Sequence, residues 1–298
     1  MERKSLSIKD SSLSFILAFL LSQLGVIVAM CVTMIAYRIS NSNLNNFEIF
    51  LNSASGYLIS SLALYLIITC VFIFFNRKKE NQITQPVKLK KFLMYVLIAI
   101  SSFLCLYPIV VCFDSMLIKC GISLSSIPYS LTTKSYFISL ISLVIAPAIC
   151  EELLFRGLIF KGLKKHGKSF AIIISSLMFS LFHMSISQTI YPILMGLLLS
   201  VIMFYENNIY YCIAVHLTNN FLSLTLSYFK INLIFKHWTY VLLAIILFVI
   251  FVAVVSYFIF KNKNKNKDNK TALTKLDKVY LFSSLGFMLL IWIFINLL

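Results

Sequence analysis

Residues 146–157 read Ala-Pro-Ala-Ile-Cys-Glu-Glu-Leu-Leu-Phe-Arg-Gly, with apolar residues on both sides. Glu151, Glu152 and Arg156 therefore fall where hydrocarbon is expected. An acid or arginine at the centre of a membrane helix costs about 2.5–3.5 kcal/mol before any pairing. A group held at that cost marks a functional site by default, and its partner must be named. Two further polar runs follow in apolar surroundings, Phe179-Ser-Leu-Phe-His183 and His216-Leu-Thr-Asn-Asn220. Three successive segments thus each carry polar groups that lipid disfavours.

Helical spacing assigns roles. Glu152 and Arg156 are four residues apart and share a face, so they can pair and reduce the burial cost of both charges. Glu151 is turned by about 100° from Glu152 and has no cation at i+3 or i+4. It is the candidate base, with Glu152–Arg156 as the structural pair. Phe179 and His183 share a face, as do His216 and Asn220. A histidine beside an amide donor suits an oxyanion. Glu151, His183 and His216 can equally be read as three zinc ligands with an open fourth position, although no HExxH run is present. Pro147 removes one backbone hydrogen bond a turn before Glu151. Either it kinks the helix and admits water, or it is a tolerated membrane-helix proline.

These residues need membrane helices to hold them. The 298-residue chain is 60% hydrophobic with a mean hydropathy of +0.93, well above the 45–50% apolar content usual in soluble domains. The expected fold is all-α and polytopic. Apolar runs long enough to span the bilayer lie near 12–37, 49–75, 92–113, 135–160, 209–229, 238–260 and 279–298. Two shorter runs, 169–184 and 188–204, form two short crossings or one deep hairpin, giving about eight to nine segments. The first run is longer than a signal-peptide core and lacks a small-residue cleavage site, so it is expected to remain as a helix. Three regions result: amino-terminal helices over 1–130, a core carrying the polar motifs over 131–230, and carboxyl-terminal helices over 231–298 with a basic linker at 261–278.

The net charge of +16 comes from 26 Lys/Arg against 10 Asp/Glu. The basic residues sit between apolar runs, where they read as topology signals and anionic-lipid contacts rather than a nucleic-acid surface. Twenty Lys/Arg fall in the amino terminus and the segments 77–91, 161–168 and 261–278, against five on the opposite side (Arg38, Lys119, Lys134, Lys230, Lys236). The amino terminus is therefore expected in the cytosol. From the cytosolic ends, Glu151, His216 and His183 lie at depths of about 15, 10 and 20 Å, differences that helix tilt can absorb. The three are expected to meet in the cytosolic half of the bilayer or near its midplane. The seven cysteines (Cys31, Cys70, Cys105, Cys112, Cys120, Cys150, Cys212) show no metal-type spacing and read as buried apolar residues. The remaining aromatics read as lipid-facing or core. KNKNKNKDNK at 261–270 is a solvated linker.

Glu151-Glu152-Leu-Leu-Phe-Arg156, Phe179 to His183 and His216 to Asn220, in this order within membrane spans, resemble the EExxxR, FxxxH and HxxxN motifs of a protease family. This is the CAAX prenyl protease and bacteriocin-processing (CPBP, Abi) family of intramembrane endopeptidases. Pro147 and Gly157 also fit, and the resemblance covers about 135–225. Tyr210-Tyr211-Cys212 departs from the usual approach to the third motif. The resemblance implies a helical membrane endopeptidase with a water-filled cavity open to the cytosol. It implies that Glu151 and His183 activate water, that His216 and Asn220 stabilise the oxyanion, and that Glu152, Arg156 and Phe179 support them. No cofactor is expected on that reading, with zinc as the alternative. The expected partners are the bilayer and a peptide or membrane-associated protein, with no nucleic acid.

Two other classes compete. A non-catalytic membrane scaffold or immunity factor would keep the motifs for stability alone. A proton-coupled transporter would use Glu151 and His183 as a relay, but it would call for repeated halves, and no internal repeat is evident. The Ile-, Lys- and Asn-rich composition suggests an A/T-rich bacterial genome and a plasma-membrane location. It favours peptide processing or bacteriocin self-immunity over cleavage of prenylated proteins.

Overall fold

The computed structural model describes residues 5–40, 45–77, 86–122, 124, 131–230, 246 and 271–297. The run expected over 238–260 and most of the basic linker lie outside the described residues. Among the described residues all regular structure is helical. The long helices are α1 (Ile8–Ser40), α3 (Ala54–Asn76), α4 (Leu89–Lys119), α5 (Thr133–Lys164), α8 (Ile209–Tyr228) and α9 (Lys275–Leu297). A short α2 (Asn45–Leu51) leads into α3, and α6 (Lys168–Phe182) and α7 (Ile190–Glu206) lie between α5 and α8. Five of these helices, α1, α3, α4, α5 and α9, are long and apolar enough to cross a membrane. Their outer faces expose Leu24, Ile27, Leu66, Phe74, Leu97 and Leu290. In water such a surface would aggregate; in lipid it is the solvated face.

The two ends of the bundle are chemically distinct. At one end, Lys91 Nζ lies 2.6 Å from Glu206 Oε2 and the Lys88 N–H donates to the Tyr211 hydroxyl at 2.9 Å. Thr271 N–H donates to the Lys165 carbonyl at 3.2 Å, which brings the start of α9 to the α5–α6 junction. Ser11 Oγ of α1 donates to the Ile159 carbonyl at 3.0 Å. All the described basic segments gather at this end. At the other end α5 begins where α8 finishes: Thr133 Oγ1 lies 3.1 Å from Tyr228 Oη, and Tyr136 Oη 3.0 Å from Thr225 Oγ1.

Helices α6 and α7 form an antiparallel pair, as both the crossing and the hairpin alternatives require. At 1.5 Å per residue, their 15 and 17 residues reach only about 22–26 Å, short of the ~30 Å core. They leave the basic end and return to it, packed antiparallel. Lys168 Nζ donates to Tyr205 Oη near the base, Ser175 and Ser200 hydroxyls meet at 3.0 Å, and Ser180 Oγ donates to the Thr189 carbonyl near the tip. Gly196 permits this approach. A Cβ there would lie 3.0 Å from Ser176 Cα.

Helix α5 is not regular. π-helical turns at Leu140–Ile145 and Phe155–Ile159 flank the α-helical Ala146–Leu154. Such turns widen the helix and free backbone groups, often at functional sites. Carbonyls in both turns are claimed by other helices, Ile159 O by Ser11 and Leu143 O by the Asn220 amide at 3.2 Å. Pro147 explains the second. It has no N–H for the carbonyl four residues back, Leu143, and a side-chain donor takes that place. The core around the acidic turn is aromatic. The Phe155 ring meets Phe179 edge-on at 5.1 Å and Phe182 at 5.5 Å, and Phe15 packs behind them at 6.3 Å from Phe155.

Candidate active site

Glu152 and Arg156 are both 0% exposed. Arg156 Nη1 donates to Glu152 Oε1 at 2.9 Å, and Nη2 donates to the Gly196 carbonyl of α7 at 3.1 Å. The guanidinium also lies over the Phe179 ring, 4.6 Å from its centre. A buried ion pair repays its desolvation only when further hydrogen bonds are made. Here the pair, a carbonyl and an aromatic face tie α5 to both arms of the hairpin.

Glu152 Oε1 serves a second partner, His216 Nδ1 of α8, at 2.8 Å. A carboxylate can only accept, so Nδ1 carries the proton. The other ring nitrogen, Nε2, lies 3.9 Å from Glu151 Oε2. His216 therefore stands between the two adjacent glutamates. Glu151 differs from Glu152 in its surroundings. Its Oε1 accepts from the Tyr65 hydroxyl of α3 at 3.3 Å, and its Oε2 is buried with no hydrogen-bond partner. His183 ends α6 with Nδ1 2.9 Å from the Phe179 carbonyl. A carbonyl likewise only accepts, so in the neutral ring Nε2 is the free acceptor. The Phe179 ring packs edge-on against both imidazoles, 5.0 Å from His183 and 5.8 Å from His216.

Glu151, His183, His216 and Asn220 all line one cavity of about 850 Å³, at the upper end of the range for ligand sites. The α6–α7 tip supplies Ser187, Gln188 and Tyr191, and α4 supplies Phe103, Tyr107 and Asp114. Tyr57 and Tyr65 of α3, Leu143 and Pro147 of α5, and Ser223 and Leu224 of α8 complete the wall, with Leu124, Ser227 and Lys230 at the end away from the described basic segments.

Two expectations need adjustment. Asn220 shares the cavity with His216, but one amide N–H is spent on Leu143 O. It holds the proline turn as well as facing the cavity. The aromatics were expected to be lipid-facing or core in nearly all cases, and Tyr65 and Tyr191, which line the cavity, are among the exceptions. The Tyr191 hydroxyl donates to Asn219 Oδ1, and Asn219 Nδ2 donates to Asn220 Oδ1 at 3.4 Å. The i+3 spacing of Asn219 from His216 was a readable signal. Tyr65, inside an unbroken apolar run, offered none. Asp114, one residue beyond the expected 92–113 span, also lines the wall.

Among the described residues no three His, Cys, Asp or Glu side chains cluster closely enough to hold a metal ion. Glu151 and His216 come within 3.9 Å, but among the described residues no third such side chain joins them. As placed here, Glu151, His183 and His216 do not form the three-ligand cluster that a catalytic zinc takes.

Residues 133–222 match the family model described as type II CAAX prenyl endopeptidase Rce1-like. The match begins at the first residue of α5 and ends two residues past Asn220, so it covers all three motifs. No curated protein and no solved structure matches the chain.

Proposed function

We propose that this chain, whose residues 133–222 match the model of the Rce1-like type II CAAX prenyl endopeptidases, hydrolyses a peptide bond of a membrane-associated protein or peptide, with Glu151 as the base. The observation that carries the reading is the convergence of Glu151, His183, His216 and Asn220 on one cavity inside a helical bundle.

Glu151 and the free Nε2 of His183 orient a water, and the Glu151 carboxylate takes its proton as the oxygen attacks the scissile carbonyl carbon. The carbonyl oxygen becomes an oxyanion. The free N–H of Asn220 and, when its ring carries both protons, Nε2–H of His216 stabilise it. The C–N bond then breaks, its electron pair goes to nitrogen, and the proton held by Glu151 is delivered there. One peptide bond and one water give one carboxyl and one amine. Glu152 holds the His216 tautomer throughout, and Arg156 with Phe179 holds Glu152. The Tyr65 hydroxyl fixes the Glu151 carboxyl through its other oxygen. No metal takes part in this scheme.

Comparative peptidomics of cells carrying wild-type or Glu151→Gln protein, with and without chelator, tests it. Peptides that appear only with the wild type, and persist in chelator, are expected. A folded Glu151→Gln protein with an unchanged cleavage pattern rejects the reading. Loss of cleavage in chelator alone replaces the metal-free scheme by a metal-dependent one.

A further inference from the structure

Helix α6 ends on Phe182, His183 caps it, and Met184 follows with a backbone φ of 50°. Glycine usually occupies that left-handed position after a helix, because a Cβ is strained there. A conformation of this kind persists only where its surroundings over-determine it. Within the turn, the Met184 N–H donates to the Leu181 carbonyl at 3.3 Å. Further support comes from another helix. Asn296 Oδ1 of α9 accepts from the Ile186 N–H at 2.7 Å, and Asn296 Nδ2 donates to the Met184 carbonyl at 3.3 Å. One side-chain amide thus grips the backbone on both sides of Ser185.

The sequence and the packing of α9 both prepare this clamp. Asn296 stands in the run Ile-Trp-Ile-Phe-Ile-Asn-Leu at 291–297, where an amide must find partners. Buried Leu281, Ser284 and Met288 mark the inward stripe of α9, and helical spacing continues it through Trp292 to Asn296. Asn296 Nδ2 also donates to the Trp292 carbonyl at 2.8 Å, which fixes the amide on its own helix. Helix α9 lies beyond the stretch 133–222 that matches the family model, so the match does not carry this contact.

What the clamp holds is a part of the cavity wall that carries chemistry. His183 precedes Met184, Ser187 and Gln188 follow Ile186, and all three line the cavity. If Met184 relaxes to the right-handed region, α6 runs on and carries Ser187 and Gln188 away. If the turn frays, the bond between His183 Nδ1 and the Phe179 carbonyl goes with it. A displacement of about 1 Å at a reacting group can cost about 10²-fold in rate.

We infer that Asn296 is a positioning residue for the reaction, acting through the Met184–Ile186 turn to keep His183 on the wall it shares with Glu151 and His216. The inference rests on the hydrolytic reading above and deepens it.

Two measurements on the full-length protein in detergent test it. The first is amide hydrogen exchange read by mass spectrometry, which needs no substrate. In Asn296→Ala the segment 183–189 is expected to exchange at least about 10-fold faster than in the wild type, with 168–178 unchanged. The second is hydrolysis of a synthetic peptide spanning a cleavage site found by the peptidomics above. In Asn296→Ala, kcat per folded molecule is expected to fall at least about 10-fold, with KM within about 3-fold. Met184→Gly separates positioning from general stability, because glycine adopts the left-handed turn without help. In that background the same Asn296→Ala change should lower kcat by less than about 3-fold. An equally large loss with Met184→Gly, or unchanged exchange or kcat in Asn296→Ala, overturns the inference. Should Asn296→Ala not accumulate folded, Asn296→Gln carries the same amide one methylene too far and is read by the same outcomes. The two proposals fail separately. Clamp-dependent exchange in a protein that releases no peptide removes the hydrolytic reading, on which this one stands. Hydrolysis lost in Glu151→Gln but intact in Asn296→Ala removes only this one.

Discussion

Adjacent glutamates in one turn of α5 should respond to the same substitution in opposite ways. Glu152→Gln keeps the shape and an oxygen to accept from Arg156 and His216, but it removes the anion paired with a guanidinium that is 0% exposed. Breaking a buried pair from one side costs about 3–5 kcal/mol, because the remaining charge stays buried. At about 2–4 °C per kcal/mol for a chain of this general size, the midpoint should fall by roughly 6–20 °C. Glu151→Gln removes no ion pair of that kind. Its Oε2 has no hydrogen-bond partner, and its Oε1 can be replaced by an amide oxygen that still accepts from Tyr65. Its stability should change by less than about 1 kcal/mol, while cleavage is lost. The assay is thermal unfolding of the detergent-purified full-length protein, followed by retention of the monodisperse peak after heating. The double variant Glu152→Gln/Arg156→Met removes both charges and should lie well above the sum of the two single losses. Equal destabilisation by Glu151→Gln and Glu152→Gln, or an additive double variant, would refute the division of labour drawn from the geometry.

Tyr65→Phe deletes the hydroxyl that donates to Glu151 at 3.3 Å. A hydrogen bond to a charged group is worth about 1.5–3 kcal/mol, so cleavage should slow by roughly 10-fold or more, with a loss of melting midpoint no larger than about 3–12 °C. Asn220→Ala leaves the Leu143 carbonyl without its donor and should cost about 1–3 kcal/mol. Adding Pro147→Ala restores a backbone N–H for that carbonyl, and the recovered midpoint checks the account of the proline turn. In Gly162→Ala the new Cβ would stand 2.0 Å from Ser11 Oγ and 2.6 Å from the Ser7 carbonyl. That pushes α1 off α5, and thermal unfolding should show a loss above about 2 kcal/mol.

The helical membrane class and the polar side chains set among apolar ones were legible because both are local. A run of about 20 apolar residues has one stable form in lipid, and Glu152 with Arg156 at i,i+4 must share a helix face whatever surrounds them. The i+4 spacing of His216 and Asn220 likewise put both on the cavity side of α8. It could not show that one Asn220 N–H would be spent on Leu143, because that demand arises from Pro147 on another helix.

Through-space partners were not legible for the same reason. Nothing in the run around Tyr65 marks its hydroxyl as a ligand of Glu151. That contact exists because α3 packs against α5 at that height. The close antiparallel packing of α6 on α7, which puts Ser175 against Ser200 at 3.0 Å, likewise depends on contacts between segments. Periodicity and charge counting report on one segment at a time. The sequence by itself determined which side chains would be forced to find partners in the membrane. Only the tertiary packing, by setting helix heights against one another, decided which partners they found.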